Sequence, residues 1–130
     1  MKVLHLSNDF AGSTVHAELY QRLDAEGVSQ IIYCPVRHPN LMGRNAFEGE
    51  NTEIIYSPIL KKIHRLLFHL KINNLVKDVE KKVDLSKVNL VHATTLFSDG
   101  AVALSLCPVE YFAICSMAWS SESTTRQARM

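Results

Sequence analysis

The sequence predicts an α/β protein with a Rossmann-like open parallel sheet and helices on both faces. Short apolar segments rich in β-branched residues alternate along the chain with segments of helical periodicity. The strand-like segments are apolar almost throughout, which is typical of parallel strands that helices cover on both sides. A length of 130 residues suits one hydrophobic core. We therefore expect one domain over residues 1–118 and a disordered tail over residues 119–130.

Five segments are predicted as strands because they are apolar or aromatic and are bounded by turn-forming residues. Pro35 closes the second, and the segment between the second and third is rich in Pro, Gly and Asn, which predicts a loop. The predicted strands are Lys2–Ser7, Val28–Cys34, Thr52–Pro58, Val88–Ala93 and Val109–Cys115.

Three helices are predicted between these strands, and two of them have clear boundaries. The first begins near Thr14, with Ser13 or Thr14 as its cap, and ends at Gly27. The last is short, is predicted to be capped by Asp99, and is ended by Pro108.

The remaining helix is predicted over the stretch PILKKIHRLLFHLKINNLVK and on to about Val83, with a break at Asn73-Asn74. At helical spacing one face of this stretch is apolar. The other face is basic, with two apolar residues among its bases. The apolar face comprises Ile59, Ile63, Leu66, Leu67 and Leu70, and the basic face comprises Lys61, Lys62, Arg65 and His69 with Phe68 and Ile72.

No acidic residue interrupts this basic stretch before Asp78, which leaves two interpretations. An ordinary solvated basic face is one of them. The other is contact with an anionic membrane surface, which selects bases interleaved with exposed apolar side chains. The predicted membrane contacts are Lys61, Lys62, Arg65, Phe68 and Ile72.

Composition and charge exclude several classes of protein. A net charge of +1 gives no global reason to expect nucleic acid as a partner. His64 and His69 have no acidic or cysteine partners at ligand spacing, so we predict no metal. We also predict no cofactor. The opening MKVLHLSNDF predicts a strand rather than a signal peptide or a membrane span. Cys34, Cys107 and Cys115 show no CxxC spacing and are predicted to be reduced and buried in a cytoplasmic protein.

Two loops are predicted to lie together at one edge of the sheet. SNDFAGST follows the first strand and TTLFSDG follows the fourth, and parallel strands end at the same edge. A strand that enters a helix through small residues leaves backbone N–H groups at the helix start, where an anion or a sugar can bind. The candidate residues are Gly12 and Ser13 for an anion, and Asp9 and His92, with Thr94 and Asp99 nearby, for sugar hydroxyls.

Each of these candidates also has a purely structural interpretation. Gly12 can simply allow a tight turn, Asp9 can form an Asx turn, and His92 can be structural. His5 lies inside the first strand and is predicted to be a hydrogen-bonded core residue. His16 can face the cleft or solvent. The glycine loop is not a G-x-G-x-x-G fingerprint, and the second strand ends in Tyr-Cys-Pro rather than in an acidic residue, which excludes a standard dinucleotide site.

Two segments together resemble a known family. NLVHATTLFSDGAVA is similar to the segment after the fourth strand in the N-terminal domains of family 4 glycosyltransferases of the GT-B fold. MKVLHLSNDFAGSTVHAELYQRLDAEGVSQIIYCP resembles that family's opening strand, glycine loop, helix and second strand. The resemblance runs from Met1 to about Leu106, whereas CPVEYFAICSMAWSSES departs from the family pattern. A truncated or frameshifted reading frame is one hypothesis for that departure.

The resemblance implies the acceptor-side half of a retaining glycosyltransferase that makes a surface glycan. In such enzymes the glycine loop, here at Gly12 and Ser13, approaches the phosphates of a nucleotide-sugar held by a second, donor-binding domain. In such an enzyme the candidates for sugar hydroxyls at the same edge, Asp9, His92, Thr94 and Asp99, would lie on the acceptor or sugar side. It implies a glycan or lipid-linked acceptor, an isolated chain without activity, and a location at the inner face of the plasma membrane. The alternatives are a non-enzymatic α/β binding domain, an inert gene remnant or a nucleotide-binding regulator.

Overall fold

The computed structural model of the chain describes residues 1–95, 98–106 and 113–115. Its centre is a sheet in which every neighbouring pair of strands is parallel, in the order β3-β2-β1-β4-β5. The prediction of an open parallel sheet is therefore confirmed. The strands are β1 (Lys2–Leu6), β2 (Ser29–Pro35), β3 (Thr52–Ser57), β4 (Leu90–Ala93) and β5 (Ala113–Cys115).

Three helices cover the two faces of the sheet, as predicted. The helix α1 (Thr14–Ala25) packs on one face, where Ala17 and Tyr20 join a core cluster with Ile32 and Cys34 of β2. The helices α2 (Phe68–Lys82) and α3 (Ser98–Leu106) pack on the other face. Gly27 has a φ of 83°, a conformation that favours glycine, and it lies just after α1 as expected.

Alternation along β1 explains how one strand serves both cores. Successive side chains of a strand point to opposite faces of the sheet. Leu4 and Leu6 therefore belong to the cluster under α2 and α3, whereas His5 stacks on Tyr20 of α1 with ring centroids 4.2 Å apart. His5 is buried and hydrogen-bonded, which confirms its predicted place in the core.

The second helix begins later than predicted. A 3₁₀ turn occupies Lys62–Arg65, and α2 starts only at Phe68. The buried ring of His64 stabilises this turn, because its Nδ1 accepts a hydrogen bond from the Lys61 N–H at 3.0 Å. The predicted break at Asn73-Asn74 is also wrong, because α2 is continuous there. The Asn74 amide instead lies 3.3 Å from His64 Nε2 and links the turn to the helix.

The face of this segment that enters the core also differs from the prediction. Ile72, Leu75 and Val79 are the buried residues of α2. Ile72 is only 8% exposed, so its predicted place among solvent-facing bases is wrong. Four residues of the predicted apolar face are instead exposed in large part: Ile63, Leu66, Leu67 and Leu70.

Several predictions concern residues outside those that the structure describes. The tail at 119–130 is one, and the side chains of Arg65, Cys107 and Cys115 are others. Of the predicted fifth strand Val109–Cys115, only Ala113–Cys115 is described, and it pairs with β4. Cys34 is a free, buried cysteine, as predicted, and burial raises the pKa of its thiol to about 11.

Candidate functional site

The carboxyl edge of the sheet brings together the loops after β1, β2 and β4. The strand order reverses direction between β1 and β4, and ligands of open α/β sheets bind outside the strand ends at such a reversal. The prediction that the loops after β1 and β4 share an edge is confirmed by a hydrogen bond from the Asn8 N–H to Asp99 Oδ2.

Asp99 closes the crevice between these two loops from inside. Its Oδ2 accepts hydrogen bonds from Thr94 Oγ1 at 2.8 Å, Thr95 Oγ1 at 3.1 Å and the Asn8 N–H at 3.2 Å. Burial raises the pKa of the Asp99 carboxyl, and these three hydrogen bonds oppose that rise. The carboxylate therefore ties the start of α3 to the loops after β1 and β4.

This network changes the interpretation of two predicted site residues. Thr94 is fully buried and Asp99 is 3% exposed, so their hydroxyl and carboxylate groups contact each other rather than the surface. The prediction that Asp99 caps α3 is wrong. Asp99 lies inside the first turn, and its own N–H points to Thr95 Oγ1 at 3.4 Å.

The loop after β1 carries the other half of the edge. The backbone carbonyl of Asp9 accepts hydrogen bonds from the N–H groups of Gly12 and Ser13, both at 2.9 Å. These two amides are therefore engaged within the loop, contrary to the prediction that they are free for an anion. Ser13 occupies the cap position of α1, but its side chain makes no capping hydrogen bond there.

The fold does not require glycine at position 12. A Cβ built on Gly12 meets, among the described atoms, only the Asp9 carbonyl oxygen, at an ordinary 3.7 Å. Its φ also lies outside the left-handed region, unlike that of Gly27. The position is exposed, so a missing side chain here leaves open surface rather than relieving strain.

An open cavity of about 280 Å³ lies beside this loop. Asn8, Asp9 and Gly12 form one wall, and the end of β2 with the following residues forms the other. The start of α2 contributes Lys71. The cavity therefore lies at the carboxyl edge on the β2 side of β1, next to the crevice that Asp99 closes.

Two cationic side chains line this cavity. Lys71 is half-buried and donates a hydrogen bond from Nζ to Ser98 Oγ at 2.9 Å. Burial lowers the pKa of Lys71, the positive charge of Arg37 lowers it further, and the charge of Asp99 opposes both effects. The ion pairs found among the described residues are Lys82 with Asp78 and Lys87 with Asp84, so neither cation of the cavity has a carboxylate partner there.

His92 lies away from the cavity, on the face of the sheet that α1 covers. Its Nδ1 is 2.9 Å from His5 Nδ1, and the two histidines are in register on adjacent strands. His5 Nε2 lies 2.9 Å from Gln30 Oε1, while the Gln30 amide donates to the Tyr20 carbonyl and to Thr52 Oγ1. Gln30 thus accepts from His5 Nε2–H, so a neutral His5 accepts at Nδ1 from His92.

Burial dominates the protonation of these histidines. The pKa of His5 is lowered to about 3, chiefly by burial and also by the neighbouring His92, while the hydrogen bond to Gln30 opposes the shift. The pKa of His92 is also lowered, first by burial and then by His16, and burial lowers the pKa of the half-buried His16. The pair is a neutral network that joins β1, β2 and β4, which is the structural interpretation of His92.

A second polar cluster lies under α2 and contains a serine that is hydrogen-bonded to a lysine. Ser57 Oγ donates to Asp78 Oδ2 at 2.6 Å and accepts from Lys82 Nζ at 2.9 Å. Tyr33 also donates to Asp78. Burial raises the pKa of Asp78, but the bonds from Ser57 and Tyr33 and the charge of Lys82 bring it below its usual range. Ser57 is fully buried, so the cluster anchors α2 to the sheet.

Sequence reasoning missed three polar residues that the structure makes prominent. Arg37 and Lys71 are far apart in the chain, and only the fold brings them to one cavity. Gln30 did carry a signal, because it is the polar residue in the otherwise apolar run QIIYC, and such a residue needs a buried partner.

Two further features, a metal-binding cluster and a membrane-spanning helix, are not found among the described residues. No group of three or more His, Cys, Asp or Glu residues is placed to hold a metal ion in the described part of the chain. None of the helices described is long and apolar enough to span a membrane.

Comparisons with models of known families, with curated proteins and with solved structures find no match to this chain. The class that the structure itself defines is an α/β domain with a Rossmann-like open parallel sheet and an open cavity at its carboxyl edge.

Proposed function

We propose that this chain is the acceptor-side half of a retaining glycosyltransferase. It would work with a donor-binding domain to transfer a sugar from a nucleotide-sugar to a glycan or lipid-linked acceptor on the cytoplasmic side of the membrane. The observation that supports this most is the open cavity beside Gly12 at the carboxyl edge of the sheet. The resemblance of the Met1–Leu106 segment to the N-terminal domains of family 4 glycosyltransferases supports it independently.

The described residues fit this role in part. Gly12 presents exposed surface without a side chain, which lets a phosphate of the donor approach the loop closely. The exposed Asp9 carboxylate lines the cavity and can accept hydrogen bonds from sugar hydroxyls. His92, Thr94 and Asp99 would act only indirectly, by holding the sheet and its edge loops in place. The nucleotide-sugar is a co-substrate, and we propose no metal for the reaction.

The test is transfer of labelled sugar with and without a donor-binding domain. The gene region downstream of the chain is sequenced for such a domain, which is then joined to the chain or expressed with it. We expect turnover in the completed protein and none from the 130-residue chain alone. Gly12→Val should reduce donor use, because a branched side chain fills the approach to the loop. Turnover of a nucleotide-sugar by the isolated chain, or full activity of folded Gly12→Val, would contradict the proposal.

A non-enzymatic α/β binding domain is the competing function. The neutral His5–His92 network and the buried Asp99 favour it, because these buried titratable groups hold the fold together rather than face the surface. A completed protein that binds sugars without transferring any would identify this alternative.

We also propose weak attachment to an anionic membrane, through a surface that differs from the one predicted. Five apolar side chains are between two fifths and nine tenths exposed within one short stretch: Ile63, Leu66, Leu67, Phe68 and Leu70. Exposed Lys61 and Lys62 lie next to them, and residues 54–77 contain no Asp or Glu. Ile72 is excluded from this surface because it is buried, whereas Leu66, at 86% exposed, takes its place.

Flotation with phosphatidylglycerol and phosphatidylcholine vesicles tests this attachment. Each base near an anionic surface contributes roughly 1 kcal/mol, so binding should be reversible and weakened by salt. Leu66→Glu and the double variant Lys61→Glu, Lys62→Glu should lower recovery with anionic vesicles several-fold. Leu104→Glu is the matched control, since Leu104 is 65% exposed on α3. Equal recovery of all four proteins would make this an ordinary solvated surface.

A further inference from the structure

The cavity beside β1 is lined by two cationic side chains and by one carboxylate, that of Asp9, so positive charge is in excess there. Arg37 and Lys71 both line it, and each lacks an ion-pair partner among the described residues. The two side chains come from different parts of the chain, one from the loop just after β2 and the other from the first turn of α2. Placing two like charges in one partly enclosed space is unfavourable unless an anion joins them.

Lys71 is oriented for such an anion by its own hydrogen bond. An ammonium group has three N–H donors, and one of them is directed to Ser98 Oγ at 2.9 Å. Two donors remain for a ligand in the cavity. Arg37 is exposed at the rim, and its planar guanidinium can bind a phosphate through two parallel hydrogen bonds. The side chains, and not the amides of Gly12 and Ser13, are therefore the groups that can hold an anion here.

Asp9 restricts the kind of anion. Its exposed carboxylate lines the same cavity, where it repels a bare anion but accepts hydrogen bonds from hydroxyl groups. A volume of about 280 Å³ is close to the lower end of small-molecule sites, roughly 300 Å³, and suits a small ligand better than an entire nucleotide-sugar.

The geometry points to a binding site for a hydroxyl-bearing phosphate ester, such as a sugar phosphate. Arg37 and Lys71 hold the phosphate, Asp9 accepts hydrogen bonds from the hydroxyls, and the bare surface at Gly12 leaves room for the ring. This site deepens the proposed sugar transfer and rests on the same cavity, but phosphate-ester binding is measured on this chain without a second domain. A phosphate of this kind can come from a nucleotide donor or from a phosphorylated acceptor.

Calorimetric titration of the 130-residue chain tests the site with four probes. They are glucose 1-phosphate, inorganic phosphate, glucose and uridine diphosphate. We expect glucose 1-phosphate to bind more tightly than phosphate or glucose alone, and more weakly as salt is raised. Tighter binding of uridine diphosphate than of glucose 1-phosphate, with the same dependence on Arg37 and Lys71, would support a donor phosphate as the source. The reverse order would support a phosphorylated acceptor.

Three substitutions separate the site from general attraction to a basic protein. Arg37→Gln and Lys71→Gln should each weaken glucose 1-phosphate binding about tenfold, because each removes a charge-assisted hydrogen bond. Lys77→Gln is the control, since Lys77 is an exposed base outside the cavity, and it should leave the affinity unchanged. Arg37 is exposed, so its variant keeps the site testable even where Lys71→Gln perturbs folding.

Equal weakening by all three variants, or no binding of any phosphate probe at millimolar concentration, would overturn the anion site. Neither result decides whether sugar is transferred, which is measured separately as turnover of the completed protein.

Discussion

The two halves of the sheet's carboxyl edge differ in whether their charged groups have partners inside the protein. On the β4 side, Asp99 is buried and accepts three hydrogen bonds from Asn8, Thr94 and Thr95. On the β2 side, Arg37 and Lys71 share an open cavity without a carboxylate partner among the described residues. The first half holds the loops together, and the second is available to a ligand. Polar residues at one edge therefore serve different purposes according to their burial.

The histidine pair His5–His92 also has hydrogen-bond partners inside the protein. We expect the largest change in folding stability at this pair. Because the folded pKa of His5 is about 3, against an ordinary value of 6.5, the folded state binds fewer protons than the unfolded state between these values. Stability is therefore complete above pH 6.5 and falls as pH is lowered toward 3. At roughly 1.4 kcal/mol per pKa unit, the loss by pH 4 is about 3 kcal/mol.

Urea denaturation from pH 7 to pH 4 measures this dependence. His5→Gln should flatten it, since the glutamine amide can donate to Gln30 but does not titrate in this range. The same loss of stability in wild type and in a folded His5→Gln variant would place the acid sensitivity elsewhere.

A pair of aspartates tests the difference between the two halves directly. Asp99→Ala should lower the free energy of unfolding by roughly 1–3 kcal/mol, because the Asn8 N–H and the Thr95 hydroxyl lose this acceptor and the Thr94 hydroxyl keeps only the Leu6 carbonyl. Asp9→Ala should change it by about 0.5 kcal/mol or less, since Asp9 is exposed. Similar losses for both variants, measured by urea denaturation, would mean that the edge is not divided as we describe.

A pair of glycines gives the smallest expected difference. Gly27→Ala should cost about 1 kcal/mol, because a φ of 83° is unfavourable for a residue with a Cβ. Gly12→Ala should change stability by less than about 0.5 kcal/mol, since the added Cβ meets only an ordinary contact among the described atoms. Thermal unfolding of both variants checks this. An equal or larger cost at Gly12 would show that this glycine is needed by the fold.

The sequence was informative where the chain's local chemistry decides the structure. Apolar runs bounded by turn residues, such as the one that Pro35 closes, gave the strands because few other structures bury such a run. The glycine with a positive φ at position 27 gave the end of α1 for a similarly local reason. The parallel order then followed from the alternation of strands and helices.

The sequence was misleading where the structure depends on contacts between residues that are far apart in the chain. Helical spacing over residues 63–72 is compatible with burial of either face of the helix. Packing on the sheet decides that Ile72 is buried and that Leu66 is exposed. The start of α2 depends on the buried ring of His64, which forms its contacts only in the folded chain. The pairing of Arg37 with Lys71 and the burial of Asp99 are tertiary facts of the same kind.

The most direct test of the divided edge is nuclear magnetic resonance of the labelled chain during addition of glucose 1-phosphate. Our account predicts that the largest backbone shifts occur around the cavity, at Asn8, Gly12, Arg37 and Lys71, with His5 and His92 little affected. Largest shifts at His92 and Asp99, or no shifts around the cavity at saturating phosphate ester, would contradict the claim that the open half of the edge binds the ligand.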